Sequence, residues 1–103
     1  MSEVIFIKDL IREYYEYWKD FKPWYASFEW MLKINSEEAK EVYLKLYKTL
    51  KALKAITKEK MLKNGLPMSF EAIITIDDIN YYIDCYYGGT EPKRRFWIQI
   101  RRL

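Results

Sequence analysis

The chain has 103 residues, enough for one domain with a single hydrophobic core, and its 18 basic and 15 acidic residues leave a net charge of only +3. This charge is too small for a protein that covers a polyanion with its whole surface, although no acid follows Glu91 while five basic residues do. The sequence has no histidine, no glycine-rich phosphate loop and one cysteine, so we expect no enzyme, no cofactor, no metal site and no internal disulfide.

Helical spacing of apolar residues predicts a first helix over Ser2–Phe21. Ser2 is a suitable N-cap, and Pro23 ends the helix because a proline disfavours the helical conformation of the residue before it. The side expected to be buried consists of Ile7, Leu10, Ile11, Tyr14, Trp18 and Phe21. Charged residues occupy the opposite side, which is typical of a surface helix.

Residues 26–34 allow two interpretations. Phe28, Trp30, Leu32 and Ile34 alternate with Glu29, Met31 and Lys33, and this period of two predicts a strand. A short second helix is the alternative, and the pattern alone does not decide between them.

A long helix is predicted to follow the capping residues Asn35 and Ser36 and to end at Asn64 and Gly65, just before Pro67. Its buried stripe is expected to comprise Ala39, Val42, Leu46, Leu50 and Leu53. The opposite side carries Lys40, Lys48, Lys51, Lys54 and Lys58. Such a stripe could follow a phosphate backbone, but it is more typical of a solvated face.

The remaining sequence predicts three strands over residues 70–76, 79–87 and 94–102, rich in Ile, Tyr, Phe and Trp. Asp77 and Asp78 form the first connection and residues 88–92 the second, so the strands form an antiparallel meander. Together with a possible fourth strand at 26–34, they predict a single α+β domain over residues 1–103. Two main helices would pack on one face of a small antiparallel sheet.

Alternation along these strands sorts their side chains onto two faces. The face expected to meet the helices contains Phe70, Ala72, Ile74, Ile76, Ile79, Tyr81, Ile83, Cys85, Phe96, Ile98 and Ile100. The other face contains Glu71, Ile73, Thr75, Asn80, Tyr82, Asp84, Tyr86, Arg95, Trp97, Gln99 and Arg101. We interpret Cys85 as a small core residue and Asp77 and Asp78 as turn formers rather than metal ligands.

The second face supports three interpretations. It could bind single-stranded nucleic acid or a nucleoprotein complex, with aromatic rings stacking on bases and arginines holding phosphates. It could dock a host protein or form a homodimer, because Tyr, Trp and Arg are enriched at interfaces. It could also be an ordinary solvated sheet face whose arginines prevent edge-to-edge pairing. The residues predicted to bind nucleic acid or a partner are Tyr82, Tyr86, Lys93, Arg95, Trp97, Gln99 and Arg101.

Doubled tyrosines at Tyr14-Tyr15, Tyr81-Tyr82 and Tyr86-Tyr87, many Ile and Lys residues and one cysteine characterise the whole chain. In these features it resembles small orphan proteins of viruses that infect thermophilic archaea. The resemblance implies a nucleic-acid-binding protein, a regulator, or an inhibitor of host defence of the anti-CRISPR kind. With no signal peptide and no apolar run long enough to span a membrane, we expect a non-enzymatic binding protein in the cytoplasm of a host cell.

Overall fold

The computed structural model describes residues 2–89 and 94–103, which form an antiparallel sheet with the two main helices packed on one face. The helices are α1 (Ser2–Phe21), α2 (Phe28–Leu32) and α3 (Ser36–Ala52). The strands are β1 (Ala26–Ser27), β2 (Ile56–Met61), β3 (Pro67–Ile76), β4 (Ile79–Gly88) and β5 (Arg95–Arg102). The predicted α+β class is confirmed.

The strands lie in the order β1-β5-β4-β3-β2, and each neighbouring pair is antiparallel. Ile76 pairs with Ile79, so Asp77 and Asp78 alone make the turn between β3 and β4. Both aspartates have positive φ angles, 52° and 64°, which suits a two-residue hairpin and which Asp tolerates better than most residues. The predicted meander is therefore confirmed, and it occupies the middle of a wider sheet.

α1 has the predicted limits but not all of its predicted buried side. Leu10 and Tyr14 are buried, whereas Trp18 is 39% exposed and Phe21 is 67% exposed. β1 pairs with only two residues of β5, so the sheet gives the last turns of α1 little surface to pack on. The expectation that Trp18 and Phe21 belong to the core was wrong.

The segment predicted as a strand over 26–34 is a strand only at Ala26 and Ser27, and its continuation is the helix α2. The Ser27 side chain accepts a hydrogen bond from the Trp30 amide at 3.3 Å and caps this helix. Phe28 and Met31 are buried three positions apart, which is a helical spacing. The apparent alternation therefore corresponds to a single helical turn.

α3 begins as predicted, with Asn35 and Glu38 forming a reciprocal capping box. It ends at Ala52, well before the predicted stop. Lys54 has a φ of 56°, and the amides of Lys54 and Ala55 donate to the carbonyls of Lys51 and Leu50. This is the hydrogen-bond pattern of a Schellman motif, with lysine at the position where glycine is usual. The predicted end at Asn64 and Gly65 was wrong because β2 follows instead.

The core lies between the helices and the inner face of the sheet, which is the predicted apolar face. Phe70, Ile83 and Ile98 are buried, as are Leu10 and Leu46, in agreement with strand alternation. Ile74 is partly buried, and Leu53 is 40% exposed because the helix has already ended. Other buried residues of the same face are Ala72, Ile76, Tyr81, Cys85, Phe96 and Ile100.

Tyr43 of α3 occupies the centre of this core. It is fully buried, its ring centroid lies 4.7 Å from that of Phe96 and 5.2 Å from that of Phe70, and its hydroxyl donates to the Pro67 carbonyl at 2.7 Å. α3 is thus fixed against β3 and β5, and the opposite surface of these strands is left as the outer face.

Candidate ligand-binding face of the sheet

The outer face of the sheet carries a row of four side chains from β5: Arg95, Trp97, Gln99 and Arg101. Alternate residues of a strand point the same way and lie about 6.8 Å apart. The register places Trp97 opposite Tyr86 and Arg101 opposite Tyr82 on β4, and Gln99 opposite an acidic residue of the same strand. The predicted site residues on β4 and β5 are therefore neighbours on one surface.

The aromatic rings of this face form a continuous group. Trp97 and Tyr86 are stacked with an interplanar angle of 19° and centroids 6.2 Å apart. Trp30 contacts Trp97 edge-on at 5.8 Å, and Tyr25 contacts Tyr86 edge-on at 5.1 Å. The indole Nε1 of Trp97 donates to the Gly88 carbonyl at 3.0 Å, which fixes the orientation of the ring.

Trp97, Tyr86 and Tyr82 are each half-buried, and Trp30 is 51% exposed. Their rings are therefore held in place by neighbours and still present surface to solvent. Planar groups of a ligand, such as nucleic-acid bases, can stack on rings of this kind.

The two arginines of the row each lie over an aromatic ring. The guanidinium carbon of Arg95 is 4.5 Å from the centroid of the Trp30 ring, and that of Arg101 is 4.7 Å from the centroid of the Tyr82 ring. A cation–π contact of this type restrains the guanidinium without using its N–H groups as hydrogen-bond donors. Both arginines can therefore donate to a phosphate or a carboxylate.

Two carboxylates lie in the middle of the face, where Glu71 of β3 is directly opposite Asp84 of β4. Tyr82 donates a hydrogen bond to Glu71 at 2.7 Å, and Tyr25 donates to Asp84. Burial raises the pKa of Asp84, and the hydrogen bond from Tyr25 opposes this rise. Burial and the hydrogen bond to Glu71 raise the pKa of Tyr82 to about 12. The hydroxyl groups of Tyr25 and Tyr82 thus stabilise the negative charges of Asp84 and Glu71 on the outer face.

β2 adds two lysines that the sequence did not place here. Lys58 pairs with Glu71 and Lys60 pairs with Ser69, so both lie on the outer face and both are exposed. Lys58 was predicted to lie on a helix with the other lysines of its stripe, and this was wrong. The remaining stripe residues, Lys40, Lys48, Lys51 and Lys54, lie in or just after α3, which packs on the inner face.

The sequence prediction missed Tyr25 and Trp30, which complete the aromatic group. Trp30 was missed because residues 26–34 were assigned to a strand, and Tyr25 because it lies before that segment, where no element was predicted. The capping residue Ser27, followed by apolar Phe28 and Met31 three positions apart, would have indicated the helix that carries Trp30. Lys93, the remaining predicted site residue, lies outside the described residues.

One interpretation of the outer face was that its arginines prevent β5 from pairing, as an exposed edge strand, with another chain. In the structure the edge of β5 is not exposed in this way. The Phe96 amide donates to the Glu29 carboxylate at 3.3 Å, and Ile98 pairs with Ala26 of β1. Further along, the guanidinium carbon of Arg102 lies 5.6 Å from the centroid of the Tyr15 ring of α1, and burial raises the pKa of both Tyr14 and Tyr15. α1 and α2 therefore cover the edge of β5, and edge protection does not require the arginines of the outer face.

The described residues show no group of three or more His, Cys, Asp or Glu side chains placed to hold a metal ion. Cys85 is fully buried, and burial raises the pKa of its thiol well above the usual value. Within the same ranges, no helix is both long and apolar enough to cross a membrane. No family model matches the sequence, and neither curated proteins nor solved structures give a match.

Proposed function

We propose that the outer face of the sheet binds single-stranded nucleic acid. The observation that supports this function best is the β5 row, in which two arginines, each over an aromatic ring, lie on either side of a half-buried tryptophan on a continuous aromatic surface. Base stacking on such rings contributes about 1–3 kcal/mol per base and depends little on sequence.

In this proposal Trp97 and Tyr86 receive bases, and Arg95 and Arg101 hold phosphates on either side of them. Lys58 and Lys60 extend the basic surface across the sheet to β2. The hydrogen-bonded carboxylates, Glu71 and Asp84, lie between the basic positions, so the phosphate backbone follows the arginine-bearing side of the face.

The test is a fluorescence-anisotropy titration of a labelled single-stranded oligonucleotide at several salt concentrations. Each phosphate held by a basic side chain contributes about 0.7 to the slope of log affinity against log salt. Arg95→Ala and Arg101→Ala should each weaken binding and lower this slope by about that amount.

Lys48→Ala is the matched control, because Lys48 is an exposed cation on α3, which packs on the inner face. It should leave affinity and salt slope unchanged. Absence of binding by the wild type at low salt would refute the proposal. Equal effects of Lys48→Ala and Arg101→Ala would show that net charge, not this face, determines binding.

A further inference from the structure

Beyond the two residues of β5 that pair with β1, the molecule presents an exposed indole ring. β1 covers β5 only at Trp97 and Ile98, and Ile98 pairs with Ala26. Because the two segments are antiparallel, Trp24 lies near Ile100, two residues further along β5. Trp24 is 85% exposed, so its ring contributes little to the core and is accessible to a ligand.

Trp24 and Trp18 line a groove between the end of α1 and β5, here called the α1–β5 groove. Its volume is about 590 Å³, within the range of about 300–1,000 Å³ that is usual for small-ligand sites. Its basic residues are Lys22, Arg101 and Arg102, and among the residues that the structure describes no acid lines it. Aromatic rings beside cations can bind a base together with its phosphate.

The three basic residues of the α1–β5 groove are exposed, and none of them forms an ion pair within residues 2–89 and 94–103. Arg102 lies over the Tyr15 ring and Arg101 lies over an aromatic ring of β4, and neither contact uses an N–H group of the guanidinium. Lys22 follows α1 directly, and its amide donates to the Trp18 carbonyl at 2.7 Å, which holds its backbone beside the groove. All three cations can therefore donate to phosphate oxygens.

The α1–β5 groove is continuous with the outer face, because Gln99 and Arg101 of the β5 row also line the groove. A strand with one phosphate on Arg101 therefore has the groove as its next site.

Charge also favours this direction for the strand. Trp30, over which Arg95 lies, borders a different groove, between α1 and α2. In the described part of the chain, that groove is lined by one lysine and by the acids Glu13, Glu16, Asp20 and Glu29. Carboxylates repel phosphates, so a strand that leaves the outer face is attracted to the α1–β5 groove and not to the groove beside Trp30.

We propose that the α1–β5 groove binds the nucleotide that continues the strand past Arg101, an inference that rests on the function proposed for the outer face. The base stacks on the indole of Trp24, and Lys22 and Arg102 hold the adjacent phosphate. The ligand is therefore a single strand long enough to occupy both the β5 row and the groove. A duplex cannot place a base in the groove, because its bases are paired and stacked on one another.

The test measures the affinity of labelled thymidine oligonucleotides, from about 3 to about 12 nucleotides long, by fluorescence anisotropy. Trp24→Ala should bind the longest one about 5- to 150-fold more weakly than the wild type, the loss of one stacking ring, and should bind the shortest one equally well. Because Trp24 is so exposed, this variant should fold, which circular dichroism will verify. Phe21→Ala is the matched control, because Phe21 is 67% exposed but lines the groove beside Trp30, and it should bind every oligonucleotide as the wild type does.

A second pair of variants tests the phosphate contact. Lys22 and Lys54 both lie just beyond the end of a helix and have positive φ angles, 44° and 56°. Glycine adopts such angles without strain, so Lys22→Gly and Lys54→Gly each remove one cation without straining the backbone. For the longest oligonucleotide, Lys22→Gly should lower the slope of log affinity against log salt by about 0.7. Lys54→Gly should leave this slope unchanged, because Lys54 follows α3 and does not line the groove.

Trp97→Ala distinguishes failure of the groove from failure of the outer face, because it should weaken binding at every length. If it does so while Trp24→Ala and Lys22→Gly bind the longest oligonucleotide normally, the role of the groove is overturned and that of the outer face stands. An equal loss at every length in Trp24→Ala would also overturn the groove as an extension of the site. Absence of binding by the wild type at any length would overturn both proposals.

Discussion

Phe96 and Trp97 are adjacent in sequence but lie on opposite faces of β5, so replacing each with alanine should separate folding from binding. Phe96 is 4% exposed, and its ring lies 4.5 Å from Tyr87 and 4.7 Å from Tyr43, centroid to centroid. Phe96→Ala leaves a cavity there and should lower the free energy of unfolding by about 3–5 kcal/mol. For a domain of this size, this corresponds to a fall in Tm of roughly 12–40 °C.

Trp97→Ala removes fewer buried contacts than Phe96→Ala does. It loses one hydrogen bond, to Gly88, and ring contacts with Tyr86 and Trp30. A hydrogen bond contributes about 0.5–1.5 kcal/mol and an aromatic pair a similar amount, so one hydrogen bond and two aromatic pairs give an expected loss of about 1.5–4.5 kcal/mol. A domain with a stability of about 5–15 kcal/mol remains folded after such a loss.

The two variants should therefore differ in binding as well. Below its melting temperature, folded Trp97→Ala should bind a labelled single-stranded oligonucleotide about 1–3 kcal/mol more weakly, the contribution of one stacking ring. Phe96→Ala should bind almost normally wherever it is folded. Thermal melting followed by circular dichroism gives the stability of each variant. Anisotropy titration at a temperature below the melting temperatures of both variants gives their affinity for the oligonucleotide. Normal binding by Trp97→Ala would refute the role assigned to this face.

Two further predictions concern ionisable groups of the outer face and of the core. The pKa of Asp84 is higher in the folded protein than in the unfolded chain, so protonation of this carboxyl favours the folded state. This contribution to the free energy of unfolding is fully present at a pH below the pKa of Asp84 in the unfolded chain. It is lost as pH rises through the pKa of Asp84 in the folded protein. Asp84→Asn should therefore raise Tm at neutral pH. It should also tighten oligonucleotide binding about threefold at low salt by removing one repulsive charge, and weaker binding would contradict this reasoning. Folding raises the pKa of Tyr25, Tyr43 and Tyr82 from the usual tyrosine value of 10.0, in the case of Tyr82 to about 12. The folded state therefore holds the hydroxyl protons of these tyrosines more tightly than the unfolded chain does. The stability linked to these tyrosines should therefore be constant below about pH 10 and fall between about pH 10 and pH 12. Urea unfolding should show a shallower fall for Tyr82→Phe, and a stability independent of pH between about pH 10 and pH 12 would contradict the assignment.

Strand alternation was sufficient to predict the meander and both of its faces. A slip of one residue in β5 would have exchanged Trp97 with buried Ile98, so the register was strongly determined by the apolar side chains. The two-residue turn at Asp77 and Asp78 fixes how β3 and β4 align. The pairs between β4 and β5, such as Tyr86 with Trp97, were not predicted and come from the structure.

The sequence was less informative where tertiary contacts override local preference. The stretch over residues 54–61 has no glycine or proline to mark the end of α3, and the left-handed residue at that end is Lys54. β2 forms because its backbone pairs with β3 over Ile56–Met61, a long-range interaction that helical spacing does not reveal. Its register shifts and exposed lysines suit an edge strand that must not pair with another chain.

The segment before α3 supplies two aromatic side chains, Tyr25 and Trp30, that contact the proposed stacking residues of the outer face. The helix α2, formed where a strand was predicted, carries Trp30 against Trp97, and Tyr25, which precedes residues 26–34, contacts Tyr86. Both contacts are edge-on and reduce the rotamer freedom of Trp97 and Tyr86 before any ligand binds. Binding to rings that are already ordered costs less conformational entropy, about 0.5–1.5 kcal/mol less for each side chain that need not be immobilised. The residues that sequence analysis missed are therefore the ones that prepare the predicted residues for stacking.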